Sequence, residues 1–165
     1  MHKRVDWDTY FISQCFLVSM RSLDPSTQHG AIIVDEYNRI LSTGYNSPIR
    51  GIDDTKVPLT RPEKYPYLPH AEENAILSLG ESMLPKGKIY ITGRPCHKCV
   101  RMILQKGIRT IVYGPLKSTC VDEEDRIATE NMISWANASL VEYNTIDKLK
   151  TFIDDYRTRC FIFSV

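Results

Sequence analysis

Residues 88–113 read KIYITGRPCHKCVRMILQKGIRTIVY. Lys88 to Thr92 is a short apolar run with the composition of a strand. Pro95 stands where a proline suits the first turn of a helix, since the N–H it lacks has no partner there. The helix runs to about Lys106, and Gly107 is its C′ residue, where a left-handed backbone closes a helix. Arg109 to Tyr113 is a second strand. Strands joined through a helix run parallel where they are neighbours, with a right-handed crossover. Cys96 and Cys99 form a Cys-x-x-Cys at the start of the connecting helix, so fold and chemistry meet at one point.

Outward from this unit, helices and strands alternate. Asp6 is an N-cap before a helix through about Arg21, with Trp7, Tyr10, Phe11, Gln14, Cys15, Leu17 and Val18 as its apolar stripe. Asp24-Pro25-Ser26-Thr27 breaks it. Ala31 to Val34 and Ile40 to Gly44 are strands, and Asp35 to Arg39 is a hairpin turn. His70 to Leu79 is a helix ending at Gly80, Asp122 to Ala138 another, Ser139 to Tyr143 a short strand and Ile146 to Arg157 a last helix. The order predicts an α/β protein: a mixed five-stranded sheet with helices on both faces, in three layers. We read residues 1–165 as a single domain, with 144–165 a C-terminal helical extension. Residues 46–69 hold five prolines and form a long loop of the kind that is usually functional in a compact domain.

Composition narrows the function. Lys plus Arg total 21 and Asp plus Glu 20, a formal net charge of +1, without the basic excess of a polynucleotide binder. No apolar run approaches the roughly 18–20 residues of a membrane span, and residues 1–8 lack the apolar core of a signal peptide. A cytoplasmic, reducing location is the expectation. The five cysteines are an odd number, with Cys15, Cys120 and Cys160 isolated, which argues against a disulfide scaffold.

His70-Ala71-Glu72 and Pro95-Cys96-His97-Lys98-Cys99 carry the chemistry. Thiolate and imidazole at this spacing suit zinc. Both segments start helices, whose positive ends favour thiolate. His70, Cys96 and Cys99 make three ligands, and a catalytic zinc leaves its fourth position to water. Glu72 falls beside that position rather than on the metal. His-x-Glu followed by Pro-Cys-x-x-Cys is the pattern of zinc nucleobase deaminases, whose glutamate is an acid/base and not a ligand. Taken separately, a Cys-x-x-Cys could be a redox pair or two core cysteines, and a histidine is more often structural. A closed four-ligand zinc using His97, His29, Cys15 or Cys120 is a further alternative.

At these residues the chain resembles the cytidine deaminase superfamily, and within it the deoxycytidylate deaminases. The likeness spans about residues 7–143. It rests on Trp7-Asp8-x-Tyr10-Phe11, Arg21-Ser22-x-Asp24-Pro25, Gln28-x-Gly30-Ala31, Gly44-Tyr45-Asn46, Lys64-Tyr65-Pro66-Tyr67-x-x-His70-Ala71-Glu72-x-Asn74-Ala75-Ile76, and Pro95-Cys96-x-x-Cys99 through Gly107-Ile108. The resemblance implies the cytidine-deaminase-like fold and one catalytic Zn²⁺ held by His70, Cys96 and Cys99. It implies Glu72 as proton shuttle, Asn46 on the deoxyribose, Arg21 as a phosphate contact and Asn74 seating the catalytic turn. Ala71, Thr92, Arg94, Pro95 and His97 belong to the implied substrate site, with backbone groups of residues 92–95 at the base edge and Arg94 and His97 toward the phosphate. Such enzymes are typically homohexamers, activated by dCTP and inhibited by dTTP with Mg²⁺ accompanying the nucleotide. Their regulatory site would here involve Gly44, Tyr45, Ser47 and Gly51. Two departures stand out: Ser47 replaces the glycine usual after Gly-Tyr-Asn, and Gly114-Pro115-Leu116-Lys117 replaces a segment that usually carries a tyrosine. Lys117 is then a candidate phosphate contact.

The implied reaction is hydrolysis of dCMP to dUMP and ammonia, supplying dUMP for thymidylate synthesis. The alternatives are a deaminase of another nucleobase, nucleoside or tRNA, and a non-catalytic, zinc-stabilised nucleotide-binding module.

Overall fold

The computed structural model describes residues 4–80, 86–118 and 122–143, together with positions 147, 148, 150, 151 and 154. Strands β1 (Gly30–Val34), β2 (Ile40–Tyr45), β3 (Lys88–Gly93), β4 (Thr110–Leu116) and β5 (Ser139–Glu142) form one sheet in the order β2-β1-β3-β4-β5. β1 is antiparallel to β2 and β3, with Ala31 opposite Gly44 on one side and Ile91 on the other. β3, β4 and β5 are mutually parallel, as their helical connections require. The β1–β2 turn is built by Asp35, whose carboxylate accepts from the backbone N–H of Tyr37 and Arg39, and by Asn38 at φ 62°, which asparagine tolerates.

Side-chain alternation divides the core. Ala31, Ile33, Ile89, Ile91 and Ile111 point to one face and meet α2 (Ala71–Leu77) and α3 (His97–Gln105) through Ala71, Ala75, Val100 and Ile103. Met132 and Ile133 of α4 (Glu123–Trp135) pack on the same cluster. Ile32, Val34, Tyr90 and Val112 point the other way, onto Phe11, Ile12 and Cys15 of α1 (Trp7–Ser19). The result is the expected three-layer, mixed-sheet architecture. Each fully buried isoleucine contributes roughly 1.5–3 kcal/mol. Among the described residues no helix is long and apolar enough to cross a membrane.

Two glycines let helices approach the sheet. A Cβ on Gly30 would stand 2.1 Å from the Cys15 carbonyl oxygen, and one on Gly44 2.2 Å from the Ala71 carbonyl oxygen and 2.3 Å from the Ala75 nitrogen. α1 and α2 therefore cross directly over β1 and β2, which sets the depth of the site at the N-terminus of α2.

The sequence expectations need four adjustments. The buried face of α1 is Thr9, Phe11, Ile12, Cys15 and Ser19, so Trp7, Tyr10 and Leu17 of the expected stripe are exposed. Pro95 lies before α3 rather than in its first turn, because Cys96 takes the extended N-cap conformation, φ −77° and ψ 164°. α4 ends at Trp135, and Asn137 follows at φ 49°. Residues 46–69 are ordered by a 3-10 turn at Asp54–Lys56 and by successive turns over 60–67. Of the expected last helix, the described positions 147, 148, 150, 151 and 154 are helical, and the rest lies outside the described residues.

Candidate metal centre and active-site pocket

The triad is assembled by two helix starts. His70 is the N-cap of α2 and Cys96 the N-cap of α3. Neither side chain caps its own helix. Both turn to each other instead. His70 Nδ1 lies 3.6 Å from Cys96 Sγ and 3.3 Å from Cys99 Sγ, and the two sulfurs are 3.6 Å apart. A tetrahedral zinc with ordinary bond lengths has ligand–ligand edges of about 3.5–3.8 Å, so these residues fit the ion. Among the described residues no other cluster of three such side chains lies this close. Cys15 and His29, candidates for a fourth ligand, instead contact the Tyr90 carbonyl and the Thr92 hydroxyl. Cys120 lies outside the described residues.

The electrostatics favour the protonated donors, not the thiolate expected from the helix N-termini. Cys96 beside it draws His70 up to about 9, and Cys96 together with burial pushes the Cys99 thiol up. A metal taken up here displaces protons. Glu72 lies in the first turn of α2, is 5% exposed, and has its carboxyl pushed up by burial against the downward pull of His70. It lines the same pocket as His70, Ala71 and Cys96.

The pocket wall is a hydrogen-bonded network. The Lys64 ammonium, 3% exposed, donates to both Asp24 carboxylate oxygens at 2.5 and 2.6 Å. Asp24 also accepts from Ser26 and Thr27 N–H and from the Asn46 amide. Burial raises the Asp24 carboxyl, but Lys64 and the backbone donors outweigh it and hold it below its usual value. Asn46 is thereby oriented: its Nδ2 donates to Asp24 and to the Thr27 carbonyl, and its Oδ1 accepts from His29 N–H at 2.7 Å. One lone pair of Oδ1 is left for a ligand. Arg94 lines the pocket with its guanidinium over the Tyr113 ring and 3.4 Å from Glu130. Its Nε is buried and has no partner among the described residues.

Other expected site residues fall elsewhere. His97 does not line the pocket: its backbone N–H and its Nδ1 both bond to Asp125 of α4. The reason is helical phase. Cys96 and Cys99 share the metal face, and a residue between them is turned away. Thr92 is wholly buried, and its hydroxyl meets His29 and Gly30 N–H. Pro95 is buried and directly precedes the N-cap of α3. Lys117 is exposed, while its neighbour Ser118 lines the pocket and donates to the Arg94 carbonyl at 2.6 Å. Asn74 Nδ2 donates to the Tyr45 carbonyl, tying α2 to the end of β2.

Arg21 lines a second cavity, of about 460 Å³, with Gly44, Tyr45, Ser47, Arg50, Gly51 and Asp54. All four expected regulatory residues lie there. The sequence reading assigned no role to Asp24, Lys64 or Arg61, although the first two stand in motifs it quoted. A buried lysine looks in sequence like an exposed one.

The family model for the cytidine and deoxycytidylate deaminase zinc-binding region matches residues 5–115. The chain is 30% identical over 158 residues to deoxycytidylate deaminase of Homo sapiens, covering 92% of this chain and 86% of the relative. It is 36% identical over 172 aligned positions to the probable deoxycytidylate deaminase of Drosophila melanogaster, covering 95% and 82%. The crystal structure of dCMP deaminase from the cyanophage S-TIM5 in complex with dCMP and dUMP matches with a TM-score of 0.70 at 21% identity, over 86% of this chain and 100% of that one. That likeness speaks to the fold, and the two animal relatives speak to descent. The chain belongs to the cytidine and deoxycytidylate deaminase family of zinc-binding hydrolytic enzymes.

Proposed function

We propose that this enzyme deaminates dCMP to dUMP and ammonia. The observation that carries the reading is Glu72, a buried carboxyl beside three zinc-type donors in one pocket. The relatives named deoxycytidylate deaminase support the substrate. Zinc held by His70, Cys96 and Cys99 supplies the Lewis acidity that makes water a nucleophile near neutral pH. Glu72 takes a proton from the attacking water and gives it to cytosine N3. As the water oxygen bonds to C4, Glu72 takes the remaining hydroxyl proton and passes it to the exocyclic nitrogen, so that ammonia leaves as the C4–N bond breaks and the carbonyl forms. Burial suits this double duty, because a raised carboxyl is a better proton acceptor than an ordinary one and still releases the proton. Asn46, fixed by Asp24, Thr27 and His29, serves the deoxyribose. Arg94 and the exposed Arg61 at the rim serve the phosphate.

The second cavity is the proposed regulatory site, taking dCTP as activator and dTTP as inhibitor. Arg21 and Arg50 suit nucleotide phosphates, and Asp54 suits an accompanying Mg²⁺. The exposed Trp7, Leu17 and Met20 on α1 suit a homo-oligomer, which we take as a hexamer. We take it to be a cytoplasmic enzyme supplying dUMP for thymidylate synthesis. The whole chain acts as a single domain.

The test is dUMP formation from dCMP by zinc-loaded protein, with Mg²⁺-dCTP in one arm and dTTP in another. Turnover raised by dCTP and lowered by dTTP is expected. Turnover indifferent to both removes the regulatory reading and points to Ser47. No turnover of dCMP overturns the substrate and moves the assay to cytosine, nucleosides and tRNA. Inertness toward all of these leaves a zinc-stabilised binding module.

A further inference from the structure

His29 lines the pocket together with His70 of the triad and with Asp24, Lys64 and Arg61. Its ring is fixed at one nitrogen. Nδ1 lies 3.0 Å from the Thr92 hydroxyl oxygen, which also accepts from Gly30 N–H at 3.2 Å. Thr92 is 0% exposed, and His29 Nδ1 is the one acceptor within reach of its hydroxyl proton among the described residues. If Nδ1 carried the proton, the Thr92 O–H would be buried without an acceptor, at the cost of a desolvated donor. The hydroxyl therefore donates to Nδ1, and the ring's proton sits on Nε2. Nε2, on the far side of the ring from Thr92, bonds to no described residue. Burial holds the ring down to about 4, so it is neutral at working pH.

We propose that His29 is a specificity-determining residue: its Nε2–H donates a hydrogen bond to an uncharged oxygen acceptor on the base or sugar of the bound nucleotide. A neutral donor suits a carbonyl or sugar oxygen, whereas the phosphate has Arg61 and Arg94 in the same pocket. The assignment rests on the proposed nucleotide substrate, and on a tautomer fixed by a wholly buried hydroxyl. Lining the pocket as bulk alone would require neither.

The experiment uses the zinc-loaded full chain with ¹⁵N-labelled histidine, of which there are four. Long-range ¹H–¹⁵N correlation at neutral pH is expected to show His29 protonated at Nε2 and bare at Nδ1. In a Glu72→Gln background, dCMP should shift the Nε2–H signal and inorganic phosphate should not. With Glu72 intact, His29→Val should raise KM for dCMP about fivefold to tenfold with kcat within about twofold, as loss of one neutral hydrogen bond allows. His29→Gln restores an N–H donor and should recover most of that loss. A ring protonated at Nδ1, phosphate driving it to imidazolium, or an unchanged KM in His29→Val would each overturn the assignment. If the parent enzyme does not turn over dCMP, the substrate reading falls, and the free-protein tautomer still reports on the Thr92 contact. If the parent turns over dCMP and His29→Val has the same KM, only the role of His29 falls.

Discussion

Two cavities share one wall and differ in almost everything else. The pocket at the triad is narrow, about 70 Å³, and its walls are side chains already paired: Lys64 with Asp24, Asn46 with His29, Thr27 and Asp24. The second cavity, about 460 Å³, is lined by the end of β2, by residues after it and by the chain leaving α1. The wall between them is residues 44–47. Asn46 faces the narrow pocket, while Tyr45 and Ser47 face the wide one, because successive residues of an extended chain point to opposite sides. The larger void is not where the zinc-type donors lie. A catalytic site needs groups held in place, and holding them fills space. The proposed effector site would need room for a nucleotide and a link to the other side, which residues 44–47 supply.

The largest effect separates the cavities outright. Glu72→Gln should lower kcat for dCMP roughly a thousandfold or more while zinc content and effector binding stay intact. Near-normal turnover in that variant would place the chemistry elsewhere.

Next is the clamp on the narrow side. Lys64→Met leaves the Asp24 carboxylate buried and unpaired, which should cost about 3–5 kcal/mol in urea unfolding and loosen Asn46, raising KM for dCMP. The same pair sets a pH dependence. Asp24 is held below its unfolded value, so its contribution to stability is fully present above about pH 4 and is lost as pH falls through the lower folded value. Unfolding midpoints between about pH 2 and 5 should fall more steeply in the parent protein than in Lys64→Met, where Asp24 has lost its cation and keeps only its backbone donors. A parent midpoint flat over this range would show that the pair does not stabilise the fold.

The wall itself comes third. A methyl at Gly44 meets the backbone of α2 and should cost about 1–3 kcal/mol or more. Effector response should weaken along with stability, since Gly44 lines the second cavity and backs onto Ala71, which lines the first. Unaltered stability would mean that α2 is free to move off β2.

Arg21→Ala is the smallest expected change and the sharpest discriminator. On the sequence reading it holds the substrate phosphate, so KM for dCMP should rise. Its place on the second cavity predicts the reverse: KM within about twofold in the absence of effector, and effector affinity down about tenfold. Steady-state kinetics with and without dCTP distinguish the two.

The elements and the triad were legible in the sequence because the signals that make them are local. Periodicity, an aspartate N-cap and a closing glycine act within one element, as Asp6 and Gly107 do here. Cys96 and Cys99 are a helical turn apart, so their shared direction follows from helix geometry once the helix is granted. Even the pairing of His70 with them was anticipated, from donor chemistry that leaves few alternatives. The stripe of α1 was misread because an amphipathic pattern with apolar residues on two faces does not say which face is covered. The burial of Phe11 and exposure of Leu17 were decided by the sheet beneath.

The layered fold, the His70, Cys96 and Cys99 donors that fit zinc, and the glutamate of the proposed proton transfer were all readable from sequence alone. Each depends on residue type and short spacing, and the physics of one helix or one ion suffices to read them. Only the tertiary structure decided that Lys64 is buried on Asp24, that His97 serves Asp125, that Arg21 belongs to the second cavity, and that Thr92 sets the proton of His29. Those contacts join segments dozens of residues apart. A charged or hydrogen-bonding side chain has the same identity in the sequence whether it meets water or a partner, and only the fold supplies the partner.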